Sequence, residues 1–408
     1  MNTIKKIAIV NVLFPPKALG GATRIAVDEA LTISKQYSSD FEVVVFTADV
    51  QRRPVDILNV YPLSGIRVYE ISKHINNWIE KDEKSFEIFE KFIDFEKPDL
   101  IHFHCIQVLT ASMVEATQKR NIPHLITVHD AWWISDYQFL IDEKGNVYPE
   151  GHPDPFKPFT LPDGITLEQS IKRRNYLKEL LNNSNGVLAV SDTFRQIYEK
   201  NGVSNVITNK NGISDDVEWR DKNTSHTDKV ICAHIGGMSP HKGFDVFKQA
   251  ILSLHTSHIE ILIIDHTKNE NHCTKTRWGN MDVTILGHVN QNKIADIYQQ
   301  IDVLFAPSTC PESFGLVTRE ATACGCWVVA SDLGGIGEDV TPENGFRITP
   351  TKENISKVFH EIDKNPKKYK ELSKSVHIRR SSEQVEEIVG IFKTILKESE
   401  KRKNRISQ

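Results

Sequence analysis

Glu312 and Glu320 are the residues whose type and spacing point most directly to chemistry. They flank seven residues within CPESFGLVTREATACGCWVVASDLGG (310–335), where Ser313-Phe314-Gly315-Leu316 reads as the start of a helix. Eight positions along a helix is just over two turns, so Glu320 returns to roughly the face of the helix start. The N–H groups of Phe314, Gly315 and Leu316 are then free to receive a charged or hydroxyl-rich ligand. A carboxylate at each end accepts hydrogen bonds from ligand hydroxyls. Two glutamates at this spacing arise often by chance, but PESFG before them and G-x-x-VVASD-x-GG after them make chance a poor explanation.

Two glycine pairs stand where strands should give way to helices. PPKALGGATR (15–24) carries Gly20-Gly21, and HIGGMSPHKGFDVF (234–247) carries Gly236-Gly237 and then Lys242-Gly243. Glycine lets backbone approach a ligand closely, the helix that follows offers N–H groups to an anion, and a lysine there acts as a point charge. Taken singly, the first is explained equally well by a structural turn, and the second is explained better by a solvent lysine in a turn. Neither matches the G-x-G-x-x-G of dinucleotide-binding folds.

The chain holds 16 histidines. His102 and His104 alternate on one strand, so both rings point to one face, and His124 and His129 bracket the next strand. Zinc would need a third well-placed ligand and an open position; histidines lining a polar cleft explain the pattern better, and no metal is expected. Trp132 and Trp133, if extended, face opposite ways, so one of them is expected in the cleft and the other in the core.

Short β-branched runs alternate with helical stretches across the 408 residues. They fall at Ile7–Val12, Phe41–Thr47, Ile66–Ile71, Leu100–His104, Pro123–Val128 and Val187–Val190, then at Val230–Ile235, Ile259–Asp265, Val283–Leu286, Val303–Ala306 and Trp327–Ala330. This is the signature of buried parallel strands in an α/β fold. Two such sets do not fit one sheet, so the expectation is an N-terminal domain over 1–208, a polar linker over 209–228 and a C-terminal domain over 229–384. A proline-rich irregular stretch at 142–164 is long enough to be functional.

Lys+Arg 50 against Asp+Glu 54 gives a net charge of −4, which argues against a nucleic-acid binder. No apolar run reaches the ~20 residues of a bilayer span. Lys5-Lys6 followed by Ile7 to Phe14 imitates a signal peptide, but Asn11 and Pro15-Pro16 mark it as a buried first strand. Six scattered cysteines without a CxxC pair fit a reduced, cytoplasmic setting. From Lys393 to Gln408 six Lys/Arg face two Glu, and Lys367–Arg380 is also basic. A solvated helix surface accounts for this; docking on anionic lipid is the alternative.

The 310–335 string, the HKG loop and the early Gly-Gly together closely resemble glycosyltransferase family 4, supported by DLIHFH (99–104), TVHDAWW (127–133), GVLAVSDTF (186–194), NGI (211–213) and GHVNQNKIADIYQQIDVLFAPS (287–308). The resemblance implies a GT-B fold: α/β, with two Rossmann-like doubly wound domains facing each other across a cleft, the closing helix at about 385–400 returning to the first. It also implies retaining transfer of a sugar from a UDP- or GDP-linked donor to a glycan or lipid-linked glycan, as in bacterial surface polysaccharide synthesis at the inner membrane face. By motif, Glu320 would bind the donor ribose and Glu312 the sugar hydroxyls. Ser313, Phe314, Gly315 and Leu316 would cradle the sugar and diphosphate, with Lys242 neutralising the leaving group. Gly21 would close the site from the first domain, and the base would lie against His288-Val289. His129 would sit beside the sugar, with His104, Asp130, Trp132 and Trp133 nearer the acceptor. No cofactor is implied beyond the nucleotide-sugar co-substrate, and contact with other biosynthetic enzymes is an expected partnership.

One departure matters. Many members carry Gly-Arg-x-x-x-x-Lys-Gly at the diphosphate loop, and here Gly237 stands in the arginine's place. Arg319 and Arg24 are the candidate substitutes. The missing clamp keeps open a non-catalytic nucleotide-sugar-binding or scaffold protein; a GT-B sugar-nucleotide epimerase, which would bind the same donor but need no acceptor platform, is the other alternative.

Overall fold

The computed structural model describes residues 4–17, 20–51, 54–151, 160–217, 228–290, 293–373 and 376–406. The chain divides into two compact units: one of 1–138, 150–212 and 380–408, the other of 139–149 and 213–379. Much of the expected 209–228 linker, 218–227, lies outside the described residues, as do 152–159 of the proline-rich stretch.

The strands of the first unit are β1 (Lys5–Val10), β2 (Phe41–Asp49), β3 (Leu58–Leu63), β4 (Ile66–Ser72), β5 (Leu100–Phe103), β6 (His124–Val128), β7 (Gly186–Ala189) and β8 (Val206–Thr208). They form one sheet in the order β3-β4-β2-β1-β5-β6-β7-β8. The second unit holds β9 (Val230–His234), β10 (Ile259–Ile264), β11 (Cys273–Trp278), β12 (Met281–Leu286), β13 (Val303–Ala306), β14 (Trp327–Ser331) and β15 (Gly345–Ile348), ordered β11-β12-β10-β9-β13-β14-β15. Pairing is parallel except at one edge of each sheet, where β3 runs against β4 and β11 against β12. An all-parallel reading missed these edge strands, together with short β8 and β15. The residues of β3 are mostly exposed and those of β11 polar, so neither shows a buried-strand pattern.

The helices are α1 (Gly21–Gln36), α2 (Glu83–Glu96), α3 (Ser112–Lys119), α4 (Leu167–Asn182), α5 (Asp192–Lys200), α6 (Phe244–Leu252), α7 (Ile294–Tyr298), α8 (Leu316–Ala323), α9 (Lys352–Lys364), α10 (Pro366–Lys370) and α11 (Ser381–Ile406). Several starts are fixed by side chains that satisfy otherwise free N–H groups: Asp82 for α2, Ser191 for α5, Thr351 for α9, and a reciprocal Thr166–Gln169 capping box for α4. In the first unit, Val385, Ile388, Val389 and Phe392 of α11 bury with Ala26, Ala30 and Ile33 of α1 against Ile7, Ile9, Val43 and Val45. In the second, alternate residues of β9 and β13 feed two clusters: Cys232, Val303 and Phe305 enter one, Ala233 and Leu304 the other. That is the pattern of a sheet covered on both faces.

The strand order reverses direction at β1/β5 in the first unit and at β9/β13 in the second. Ligands of doubly wound sheets sit outside the carboxyl ends of the strands at such switch points. Where the chain leaves the first unit, the Gly212 amide donates to Gln384 at 2.7 Å, and a Cβ at Gly212 would lie 2.2 Å from the Arg380 backbone. This accounts for the glycine of NGI.

Candidate functional site

In the second unit, the loop after β9 and the loop after β13 meet at the switch point. Thr309 N–H donates to the His241 carbonyl at 2.9 Å. Gly243 (φ 75°) packs so closely that a Cβ there would lie 1.8 Å from the Pro307 carbonyl oxygen. This contact brings Lys242 Nζ to 2.6 Å from Glu312 Oε1, which also accepts from Ser308 Oγ at 2.5 Å. Burial pushes the Glu312 carboxyl up, but Lys242 and Ser308 outweigh it and hold the group below its ordinary range. Lys242 shifts the opposite way: burial disfavours its charge, Glu312 favours it, and the net direction is up. Both groups are therefore charged at neutral pH. Glu312 Oε2 receives no hydrogen bond among the described residues.

The backbone of Glu312 is pinned by Gly335 N–H at 2.7 Å. Gly315 caps α8 at φ 85°, where a Cβ would come within 2.5 Å of Ile336 Cγ1. The N–H groups of Phe314, Gly315 and Leu316 donate to no partner among the described residues, so this turn presents donors beside the Lys242–Glu312 pair. Glu320 follows on α8, 3% exposed, and accepts from the hydroxyl of Tyr298 at 3.0 Å. Tyr298 was not singled out from sequence; its place at the end of α7, inside a run already marked as a motif, is the signal that pointed to it.

Arg319 does not serve as a free cation. It is 2% exposed, pairs with Asp339 at 2.7 Å, donates to the Gly335 carbonyl at 2.8 Å and to that of Phe314, and lies 4.0 Å over the Phe314 ring. Every direction of its fork is used to hold the 314–316 turn against 335–337. Arg24, on α1, lies 3.6 Å from Asp28.

Further along the same sheet edge, His288 follows β12 and His266 follows β10, their rings 6.0 Å apart. His266 Nε2 donates to the Ile235 carbonyl at 2.9 Å, and a Cβ at Gly237 would sit 3.8 Å from the His266 ring. Val289 is half-buried beside His288. The strand ends thus line up in sheet order, with His288 after β12, His266 after β10, Gly237 and Lys242 after β9, and Glu312 after β13. Phe139–Pro149, which takes in the start of the irregular stretch, belongs to this unit; Phe139 stacks on His241 at 5.3 Å and Asp142 closes a tight turn.

In the first unit, His104 follows β5 and His129 follows β6. Their rings stack 5.2 Å apart, with His104 Nδ1 2.9 Å from His129 Nε2. Asp130 accepts from Gln107 and Gln138, each at 2.7 Å, and from Trp132 N–H at 2.9 Å. Burial nevertheless pushes its carboxyl up to about 6. Gly21 opens α1 behind Gly20, and Asn11, after β1, accepts from the Cys105 amide at 3.1 Å.

Trp132 and Trp133 correct the sequence expectation. Both are buried, at 2% and 3% exposure. They lie in a turn rather than a strand: Ile134 and Ser135 N–H both return to the Ala131 carbonyl. Adjacent side chains therefore do not alternate, and the two rings meet edge-on at 5.2 Å. Trp132 also bonds the Asn77 carbonyl and lies under the buried guanidinium of Arg173.

The histidines also separate. His124 bonds Gln118 and the Ile122 carbonyl, apart from the rest. His102 and His104 instead share Glu29 of α1, which no sequence reading named, and these three form the one described His/carboxylate group close enough to hold a metal ion.

The Glycosyltransferase Family 4 model matches residues 19–217, and the model for glycosyl transferases group 1 matches 215–378. An uncharacterised glycosyltransferase of Methanocaldococcus jannaschii is 25% identical over 63% of this chain and 62% of its own length. The phosphatidylinositol N-acetylglucosaminyltransferase GPI3 subunit of Saccharomyces cerevisiae is 29% identical over 31% of this chain and 30% of its own. The chain therefore spans less than two thirds of the length of these relatives. Among solved structures, sucrose-phosphate synthase from Thermosynechococcus elongatus superposes with TM-score 0.65 at 17% identity, covering 98% of this chain and 99% of that one. Anabaena HepE, in complex with UDP and glucose, gives 0.66 at 15% identity over 95% and 99%. With its two parallel-dominated sheets and two contiguous family matches, the chain belongs to glycosyltransferase family 4 and has the two-domain GT-B fold.

Proposed function

We propose that the chain transfers a sugar from a nucleoside-diphosphate sugar to a hydroxyl of a glycan or lipid-linked glycan, with retention of anomeric configuration. The observation that carries this is the Lys242–Glu312 pair at 2.6 Å beside the free N–H groups of Phe314–Leu316. A cation and a row of donors suit a departing diphosphate, while Glu312 Oε2 remains to accept from sugar hydroxyls. Glu320 is assigned the ribose, and the strand-end backbone at His288-Val289 the base. Uracil is favoured over guanine because structural neighbours were solved with UDP and UDP-glucose.

In the reaction the bond from the anomeric carbon to the phosphate oxygen breaks, and the diphosphate leaves with its electron pair. The acceptor oxygen bonds the same face of that carbon, and its proton passes to the departing phosphate oxygen. The protein supplies positioning and charge stabilisation, with no carboxylate as base. Lys242 and the 314–316 N–H groups meet the charge on the leaving group; His129, in the first unit, is assigned to a sugar or acceptor hydroxyl. No resident metal is given a part.

We place the enzyme in bacterial surface polysaccharide synthesis on the cytoplasmic side. Relatives named for phosphatidylinositol and D-inositol 3-phosphate support a small polar or lipid-linked acceptor. No described helix is long and apolar enough to cross a membrane; the basic tail of α11 is the proposed peripheral contact with the membrane and with other biosynthetic enzymes.

The test is turnover of UDP- and GDP-sugars with lipid-linked glycan acceptors in the presence of a chelator, with the product anomer read by NMR. Transfer with retention is expected. Inversion or a metal requirement contradicts the mechanism. Binding without transfer supports the non-catalytic reading, for which Gly237 in place of the loop arginine is the observation; conversion of the donor alone supports an epimerase.

A further inference from the structure

Glu29, His102 and His104 form a closed polar cluster inside the first unit, their side chains 0–1% exposed. Glu29 lies on α1 among Ile25, Ala26, Ala30 and Ile33, the residues that this helix buries. His102 is on β5 and His104 follows it, so strand alternation sends both rings to one face, with centroids 4.3 Å apart. Phe392 of α11 closes edge-on over His102 at 5.5 Å. The surroundings are apolar.

Hydrogen bonds account for only part of this cluster. His102 Nδ1 lies 2.6 Å from Glu29 Oε1. Glu29 Oε2 and His104 Nε2 face each other at 3.3 Å, yet neither has a hydrogen-bond partner among the described residues. A carboxylate oxygen and a ring nitrogen left bare in an apolar core are costly unless a positive charge lies between them. The outer ring nitrogens, by contrast, are engaged. His102 Nε2 lies 2.8 Å from Thr127 Oγ1, and His104 Nδ1 lies 2.9 Å from His129 Nε2. Histidine ligands of metal sites share this arrangement, one nitrogen held by a neighbouring group and the other turned to the ion.

We propose that Glu29, His102 and His104 bind one divalent cation of the zinc class at a structural site that ties α1 to β5. The donors are Glu29 Oε1 and Oε2, His102 Nδ1 and His104 Nε2, each carboxylate oxygen facing one ring nitrogen. The ligand atoms of the three residues lie within 4.8 Å of one another. Imidazole and carboxylate together suit zinc; magnesium and calcium take oxygen ligands alone. Zinc bonds at tetrahedral angles hold neighbouring donors about 3.4 Å apart. The Oε2–Nε2 separation of 3.3 Å already meets this, and the Oε1–Nδ1 contact of 2.6 Å opens as the ion takes the place of the shared proton. Glu29 is the third ligand that the His102–His104 pair lacks in sequence. With side chains this buried, no substrate reaches the ion, and the transfer proposed above has no step on it. The ion instead fixes α1, which Gly21 opens, against the strand at which the order of the first sheet reverses. It enters as the unit folds, so a chelator added to the folded protein leaves it in place.

The experiment starts from the full chain purified without a metal-affinity step, dialysed against EDTA and assayed by plasma mass spectrometry. About one equivalent of a zinc-class metal per chain is expected. The protein is then unfolded in guanidinium with EDTA, freed of metal, and refolded alone, with zinc or with cobalt(II). Cobalt(II) is expected to give the visible absorption of a low-coordinate nitrogen–oxygen centre, suppressed by zinc present during refolding and persistent when EDTA is added afterwards. Zinc is expected to raise the unfolding temperature by about 5 °C or more over the metal-free protein. Glu29→Gln, which keeps the shape and removes the bidentate carboxylate, is expected to hold no metal and to show neither effect. A metal-free wild type with no cobalt absorption and no zinc shift overturns the proposal and leaves a plain Glu29–His104 ion pair. Cobalt released on mixing with EDTA, or the same metal content in Glu29→Gln, also overturns it, because the ion then lies elsewhere. If Glu29→Gln does not fold, the EDTA-resistant cobalt absorption and the zinc shift of the wild type decide the question by themselves.

Discussion

Lys242 Nζ sits 2.6 Å from Glu312 Oε1 although the two residues are seventy positions apart, one after β9 and the other after β13. The pair ties together the two loops at the switch point of the second sheet. Lys242→Met strands a carboxylate with only Ser308 for support and should cost about 2 kcal/mol in chemical unfolding. Adding Glu312→Gln should recover most of that loss. The folded-state pKa of Glu312 lies below its ordinary value, so its contribution is complete above the usual carboxylate range and is lost as pH falls through the folded value. The gap between wild type and Lys242→Met should therefore close below about pH 4. A gap that widens in acid would contradict the pairing.

Arg319 separates a structural from a ligand-binding role. Its guanidinium is spent on Asp339 and on the carbonyls of Phe314, Gly315, Gly335 and Ile336 in the turns it joins. Arg319→Ala should lower stability by about 3 kcal/mol, because it removes the buried partner of Asp339 and the hydrogen bonds that hold the two turns together. Unchanged stability with a specific loss of nucleotide affinity would mean that the side chain reaches the diphosphate after all.

Trp132 belongs to the core of the first unit. Trp132→Ala should destabilise by about 3–5 kcal/mol, the range for truncating a buried aromatic residue. Its effect on turnover should be the same for every acceptor offered. A stable variant with altered acceptor preference would restore the cleft-facing role.

Asp130 should leave a mark on the pH–stability curve. Its folded pKa, about 6, is above the ordinary value, so the folded state binds the extra proton between roughly pH 4 and 6. From this group, stability falls as pH rises through that window and is level above it. Asp130→Asn should remove the downward slope and gain on the order of 2 kcal/mol at pH 7, provided Gln107 and Gln138 flip to meet the new amide. Identical slopes in the two proteins would contradict the shift.

The buried strands were legible because β-branched runs announce them, and the family motifs were legible because glycine, lysine and glutamate recur at strand ends. What failed did so for local reasons. Leu58–Leu63 and Cys273–Trp278 pair on one side only and carry exposed or polar residues, so no apolar pattern marks them. The Trp132-Trp133 reading assumed extended backbone where Asp130 folds a turn. Glu29 lies seventy-three positions from His102, yet a trace was present: it falls between Ile25 and Ile33 at four-residue steps, a carboxylate on the apolar stripe of α1. Such a residue requires a buried partner.

The most direct test of the central claim is calorimetric titration of UDP, GDP, their common sugar conjugates and NAD into the wild type, Lys242→Ala and Glu320→Ala, without added metal. One nucleotide, UDP, is predicted to bind, with affinity lost by roughly tenfold or more in each variant, as expected for removal of a charged hydrogen bond to the ligand. No binding of any nucleotide sugar, or equal affinity in all three proteins, would contradict the placement of the donor site.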